Sequence, residues 1–202
     1  STRNSGQVCI SVERVFVHES VADEFADLLE ARVRAQEVGD PNSPETQIGP
    51  MANEQQRAHV LRQLEAAAAQ GAEIRVQGES RGPGFFLTPS LALNVSDDMD
   101  LASDETFGPV VSVSTYRDVD EVVERANATR YGLGASVWGP EGEQTERVAS
   151  RIEAGMIGIN RGLSAAGGAP WVGAKMSGFG YSRSREGMRQ FMQPRTFSSR
   201  KG

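Results

Sequence analysis

Cysteine and histidine are scarce in this sequence: Cys9 is the single thiol, and His18 and His59 are the only imidazoles among 202 residues. One thiol excludes an internal disulfide framework and any cysteine-rich zinc site. No run approaches the ~18 consecutive apolar residues of a membrane span. No basic stretch followed by an apolar one opens the sequence, so no signal peptide is expected and the protein reads as cytoplasmic, with no membrane partner. Positive charge is also in deficit. The 21 Lys and Arg against 27 Asp and Glu leave a net charge of −6, which argues against nucleic acid as the main partner. What is present, 38% apolar and 24% charged residues, is ordinary globular composition and excludes disordered, collagen-like and coiled-coil chains.

Along the chain, periodicities of two and of 3.6 alternate. Residues 10–17 are β-branched and aromatic and read as a strand. Ser20 with Asp23 resembles a capping box, and Val21, Phe25, Leu28, Leu29 and Val33 recur at the spacing of one helical face. Three prolines and two glycines between Gly39 and Pro50 break that helix into a loop. A second helix is expected from Asn53 as N-cap, with Val60, Leu61 and Leu64 inward and an end near Gly71, followed by a short strand over 73–77. Further on come a strand over 110–116, a helix over 118–127 capped by Asp118, a strand over 133–138, a helix over 141–153 and a strand over 156–160. This order predicts an α/β fold with a mostly parallel sheet flanked by helices. Between Gly162 and Gly180 six glycines make an irregular, glycine-rich C-terminal segment. Residues 1–186 are expected to form one domain. Residues 187–202 belong to a basic stretch (Arg183, Arg185, Arg189, Arg195, Arg200 and Lys201 against Glu186) that reads as a subunit-packing tail rather than a phosphate site.

Cys9 is the candidate for chemistry. A lone cysteine is ordinarily a small buried hydrophobe, but Asn4-Ser5-Gly6-Gln7-Val8 sets this one after a polar, glycine-containing turn. There a thiolate stays reachable and free backbone N–H groups can stabilise it or an oxyanion. A cysteine hydrolase would need His18 or His59 within ~3.2 Å of the sulfur, and neither spacing implies that. Asp97, Asp98, Asp100, Asp104 and Glu105 form an acidic cluster without EF-hand spacing, read as a solvated loop, and no metal site is expected.

Four motifs then stand in order: Gly6-Gln7-x-Cys9, Glu105-x-Phe107-Gly108-Pro109, Asn127 with Tyr131-Gly132-Leu133, and Lys175-x-Ser177-Gly178-x-Gly180 with Glu186-Gly187 beyond. Together they resemble the catalytic-domain half of the NAD(P)-dependent aldehyde dehydrogenase superfamily, over essentially the whole chain. The resemblance implies that Cys9 attacks an aldehyde, that the thiohemiacetal yields hydride to NAD or NADP, and that the resulting thioester is hydrolysed to a carboxylic acid. It implies that Glu105 holds the nicotinamide ribose, that Phe107 packs on the nicotinamide ring, and that Gln56 falls where some members place a glutamine on the same ribose. His59 falls where they carry lysine. Arg3 resembles the arginine with which succinic semialdehyde dehydrogenases grip the distal carboxylate, and Asn160-x-Gly162-Leu163 resembles that subgroup's substrate loop. The serine expected two positions after Leu163 is Ala165, with Ser164 adjacent, and Val172 replaces one of a usual glycine pair.

The resemblance also implies partners: a small aldehyde, an N-terminal cofactor-binding domain that these residues lack, and other subunits of a homo-oligomer. The general-base glutamate of a Glu-Leu-Gly-Gly stretch and an oxyanion-hole asparagine precede the cysteine in that family and are not in this sequence. The 202 residues alone are therefore expected to be nearly inactive, with apolar surface exposed where the cofactor domain would sit. The competing expectation is a non-catalytic oligomerisation or binding module of the same fold.

Overall fold

The computed structural model describes residues 1–163 and 168–200. Two compact units result, Ser1–Arg125 and Ala126–Gly202. In the first, β1 (Val15–His18), α1 (Ala22–Arg34), α2 (Glu54–Ala69), β2 (Glu73–Val76), β3 (Ser80–Arg81), β4 (Phe86–Leu87), β5 (Ser90–Leu93), α3 (Asp100–Ser103) and β6 (Val110–Tyr116) follow one another, and α4 (Val119–Asn127) begins there. Four strands form a sheet in the order β1-β6-β5-β2. β1 and β5 run parallel to β6, and β2 is antiparallel to β5. β3 and β4 form a separate antiparallel pair.

Alternation along the central strands sorts two cores. Leu91, Leu93, Val111 and Val113 point to the face on which α1 lays Ala26 and Val33. Ala92 and Val110 belong to the opposite face, where α2 contributes Val60, Leu64 and Ala67. Both faces of β5 are covered, and all four of its residues are buried. Such a strand shows no polar alternation, which is why Ser-Leu-Ala-Leu did not stand out as a strand.

Several expected elements are redrawn. The first strand begins at Val15, not residue 10, because the preceding residues serve other bonds: Ser11 N–H closes a turn on the Val8 carbonyl (2.7 Å), and the Glu13 carbonyl accepts from the Ser112 hydroxyl. Ser20 does not cap α1. A single 3-10 turn, Glu19–Val21, precedes the helix, and the His18 imidazole accepts from Ser20 N–H (3.2 Å). The inward face of α1 runs through Ala22, Ala26, Leu29 and Val33, leaving Leu28 64% and Val21 50% exposed. Small alanines at i and i+4 carry less signal than the leucines beside them, so the predicted stripe was rotated. Asn53 caps α2 by accepting from Gln56 N–H (2.8 Å), and Asp118 caps α4 through Asp120 and Glu121, both as expected.

The second unit holds β7 (Tyr131–Gly132), β8 (Gly134–Val137), α5 (Glu143–Ala149), β9 (Met156–Ile159), β10 (Trp171–Val172), β11 (Ala174–Lys175), β12 (Tyr181–Ser182) and α6 (Ser184–Arg189). β8 and β9 are parallel across the α5 connection, while β7 with β11 and β10 with β12 are short antiparallel pairs. The helix expected over 141–153 is only seven residues, and Gly142 at φ +122 starts it late. The boundary expected after residue 186 falls inside α6. Ser164, Ala165, Gly167 and Lys201 lie outside the described residues.

α2 packs closely against the segment before β6. A Cβ at Gly108 would lie 2.3 Å from Val60 Cγ2. Gly108→Ala is expected to destabilise by about 1–3 kcal/mol through overpacking. With Val60→Ala the double variant should lose less than the sum of the singles, read as a double-mutant cycle in urea.

Candidate active site

The residues singled out in the sequence gather on three segments of the first unit: 3–9, the N-terminal turn of α2, and 105–109. Arg3–Gly6 forms a tight 3-10 turn in which Asn4, Ser5 and Gly6 have φ of +53, +58 and +71. Left-handed backbone costs a β-substituted residue about 1–3 kcal/mol and persists only where neighbours over-determine it. Here they do. Buried Ser5 donates its hydroxyl to the Gly49 carbonyl (2.7 Å), and the Gln7 side-chain oxygen accepts from Ala52 N–H (2.9 Å). A Cβ on Gly6 would sit 1.9 Å from the Gly108 carbonyl oxygen, so only glycine lets the two loops touch.

This frame delivers Cys9 to the surface, in the turn closed by Ser11 on Val8. Its own N–H and that of Ile10 donate to no backbone carbonyl or side chain among the described residues. Such free donors beside a reachable thiol are the raw material of an oxyanion site. Arg3 is exposed and has no ion-pair partner among the described residues. Glu105 is exposed, and Phe107, half-buried, has φ +49.

Two side chains hold the Glu105–Phe107 segment. Glu13 accepts from Thr106 N–H (3.1 Å) and Phe107 N–H (3.2 Å). Gln56 donates its side-chain amide to the Thr106 and Phe107 carbonyls (2.9 and 3.1 Å). Gln56 thus lies beside Glu105 and Phe107, and its Oε1 has no partner among the described residues. His59 Nε2 bonds the Glu105 carbonyl (3.3 Å), while His18 engages Ser20 and the Arg117 carbonyl. Neither imidazole is hydrogen-bonded to Cys9, and the hydrolase arrangement is not formed. Of the acidic cluster, Asp97 pairs with Arg125 (2.7 Å), Asp98 accepts from Ser96 (2.5 Å), and Asp100 opens α3.

The two motifs of the second unit also meet each other. Lys175 pairs with Tyr131 in register and donates to the Asn127 carbonyl (2.7 Å) and Glu153 carboxylate (2.9 Å), and Ser177 Oγ accepts from Gly132 N–H (3.0 Å).

The sequence model of the aldehyde dehydrogenase family matches residues 1–197. The chain belongs to the aldehyde dehydrogenase family. It is 42% identical over 195 residues to succinate-semialdehyde dehydrogenase [NADP(+)] 1 of Mycobacterium tuberculosis, covering 96% of this chain and 43% of that protein. The Mycobacterium leprae succinate-semialdehyde dehydrogenase [NADP(+)] is 39% identical, with the same coverage. Among solved structures, an aldehyde dehydrogenase from Brucella melitensis superposes with TM-score 0.91 at 35% identity, over 95% of this chain and 40% of that one. The Burkholderia pseudomallei succinate-semialdehyde dehydrogenase gives 0.89 at 37%, over 94% and 40%. The chain thus spans about two fifths of the length of the relatives it matches.

Among the residues that hold these segments, Glu13 is the one that sequence reasoning missed. The available signal was a carboxylate in the β-branched run into β1, Val12-Glu13-Arg14-Val15. Burial pushes its carboxyl above the ordinary range, the Phe107 and Thr106 N–H groups pull it back, and the Glu105 charge raises it again. A carboxyl whose pKa is raised on folding binds more protons in the native state, so its contribution declines as pH rises from the ordinary carboxylate value through the raised one. Stability measured by urea unfolding should show that decline across this mildly acidic window, and Glu13→Gln should remove it.

Proposed function

We propose that this stretch supplies the nucleophile and the nicotinamide-side contacts of an NAD(P)-dependent aldehyde dehydrogenase acting on a small carboxylate-bearing semialdehyde. The observation that carries this is the joining of the Cys9 turn to the Glu105–Phe107 segment through the Gly6–Gly108 contact. In this reading the Cys9 thiolate, its proton released to water, bonds to the aldehyde carbon and the carbonyl π pair moves onto the oxygen, where the N–H groups of the turn steady its charge; that pair re-forms the carbonyl as hydride leaves the carbon. A nicotinamide dinucleotide, when bound, provides the acceptor for the hydride that leaves that carbon. The thioester left on Cys9 is then opened by water, which releases the acid and restores the thiol.

The residues present suit such a cofactor. The exposed Glu105 carboxylate can accept from two ribose hydroxyls, Gln56 Oε1 is free to accept from one, and the Phe107 ring offers a flat apolar face that limits how the nicotinamide lies. The water-activating carboxylate and the dinucleotide-binding domain belong to the other part of such an enzyme, so the 202 residues alone should turn over little aldehyde. Exposed Phe179, Phe191 and Phe197 support a further reading, self-association through the C-terminal segment.

Joined behind the dinucleotide-binding half of a mycobacterial relative, the chain should produce NAD(P)H from succinic semialdehyde, with Cys9→Ser lowering kcat by about 10³-fold or more. Absorbance at 340 nm reads this directly, and equal rates in the two proteins would exclude Cys9 as nucleophile.

Arg3 supports the choice of substrate class, because an exposed guanidinium with no ion-pair partner among the described residues suits a distal carboxylate. Arg3→Ala should raise KM for succinic semialdehyde about ten-fold or more while leaving KM for propanal nearly unchanged. Equal effects on both substrates would remove Arg3 from the substrate site.

A further inference from the structure

We infer that Glu13 and Gln56 are a matched pair of positioning residues that clamp the Thr106–Phe107 backbone from its donor and acceptor sides, and so set how Glu105 and Phe107 meet the nicotinamide riboside end of a dinucleotide. Each Glu13 oxygen takes one N–H, Oε2 from Thr106 and Oε1 from Phe107. The Gln56 Nε2 gives its hydrogens to the two carbonyls of the same residues. All four backbone polar groups of this pair are thereby satisfied by two side chains, and none by a ladder or a helix.

The chemistry of the two arms is not interchangeable. An ionised carboxylate only accepts, and an amide NH2 only donates, so Glu at 13 matches two N–H groups and Gln at 56 matches two C=O groups. Each arm is itself anchored. Gln56 sits three residues past Asn53, whose side chain takes the Gln56 N–H, and the Glu13 carbonyl accepts from Ser112 on β6. Phe107 gives the clamp its purpose. At φ +49 its backbone is disfavoured for an aromatic residue and would relax into an extended form if released. Relaxation there would redirect both Phe107 and Glu105, two residues before it. His59 Nε2 on the Glu105 carbonyl adds a third hold one residue earlier.

The catalytic consequence rests on the reading of Glu105 and Phe107 as cofactor contacts; the clamp does not. Two measurements separate them. In the 202-residue chain, amide hydrogen exchange read by NMR should speed up about ten-fold or more at Thr106 and Phe107 in Glu13→Gln, while Leu64 and Leu91 keep their protection. Gln56→Leu, which opens the other side without touching the acceptor oxygens, should do the same. Unchanged exchange at Thr106 and Phe107 in either folded variant overturns the clamp. In the complete enzyme, Glu13→Gln should raise KM for the dinucleotide about ten-fold and leave KM for the aldehyde in place. A Glu105→Gln control that also raises the dinucleotide KM upholds the cofactor reading. If Glu105→Gln raises it and Glu13→Gln does not, the positioning role is lost; if neither does, the cofactor reading of Glu105 falls and takes the positioning role with it.

Discussion

The site depends on a backbone contact that admits no side chain. Gly6 approaches the Gly108 carbonyl so closely that a single methyl would overlap it, and Gly108 in turn lies against Val60 of α2. Three segments far apart in the chain are therefore stacked: the turn that carries Cys9, the segment that carries Glu105 and Phe107, and the helix that carries Gln56. Each glycine loses more backbone entropy on folding than a larger residue would, and what it returns is proximity that no larger residue permits. Asn4, Ser5 and Phe107, with φ of +53, +58 and +49, flank this contact. A turn forced this close to another chain segment has few conformations left, and the hydrogen bonds of Ser5, Gln7, Glu13 and Gln56 hold it in one of them.

How much of this was legible in the sequence differs by element for physical reasons. α2 and α4 were legible because each opens on a side chain that accepts from its own first turn, a local bond readable at three-residue spacing. β6 was legible because seven residues carry enough β-branched signal. β5 was not, because a four-residue strand covered on both faces has neither length nor alternation to report. α1 was found with its face misjudged, since the alanines that pack inward carry less hydrophobic weight than Leu28, which does not. The motif residues Cys9, Glu105 and Phe107 could be picked out by resemblance. Glu13 and the double use of Gln56 could not, because both act on backbone groups 50 to 94 residues away, and a backbone group leaves no mark in a sequence.

The motifs divide into two kinds once their contacts are known. Those of the first unit leave functional atoms unspent: the Cys9 thiol, the Glu105 carboxylate and the Arg3 guanidinium are exposed. Those of the second unit are consumed internally. Asn127 accepts from Glu153 N–H and donates to the Arg151 carbonyl, Lys175 pairs with Glu153, and Ser177 receives Gly132 N–H. Family motifs alone do not distinguish a residue with exposed polar atoms from one whose bonds join β7 to β11, whereas the hydrogen bonds do.

The Glu105–Phe107 segment is held by side chains rather than by a strand. A strand would satisfy its N–H and C=O groups equally well, but it would alternate Glu105 and Thr106 across two faces and bring Glu105 and Phe107 to one face in extended geometry. The left-handed Phe107 breaks that alternation and ends the segment against Gly108 and Pro109, immediately before β6 begins. The pleat is abandoned at this segment, and the backbone groups so orphaned would cost roughly 1–3 kcal/mol each if left buried without partners. Glu13 and Gln56 answer that cost from outside the segment. Their placement on the run into β1 and on α2 ties the aim of Glu105 and Phe107 to the two cores of the sheet, so the precision of the loop is inherited from the rigid layers on either side of it.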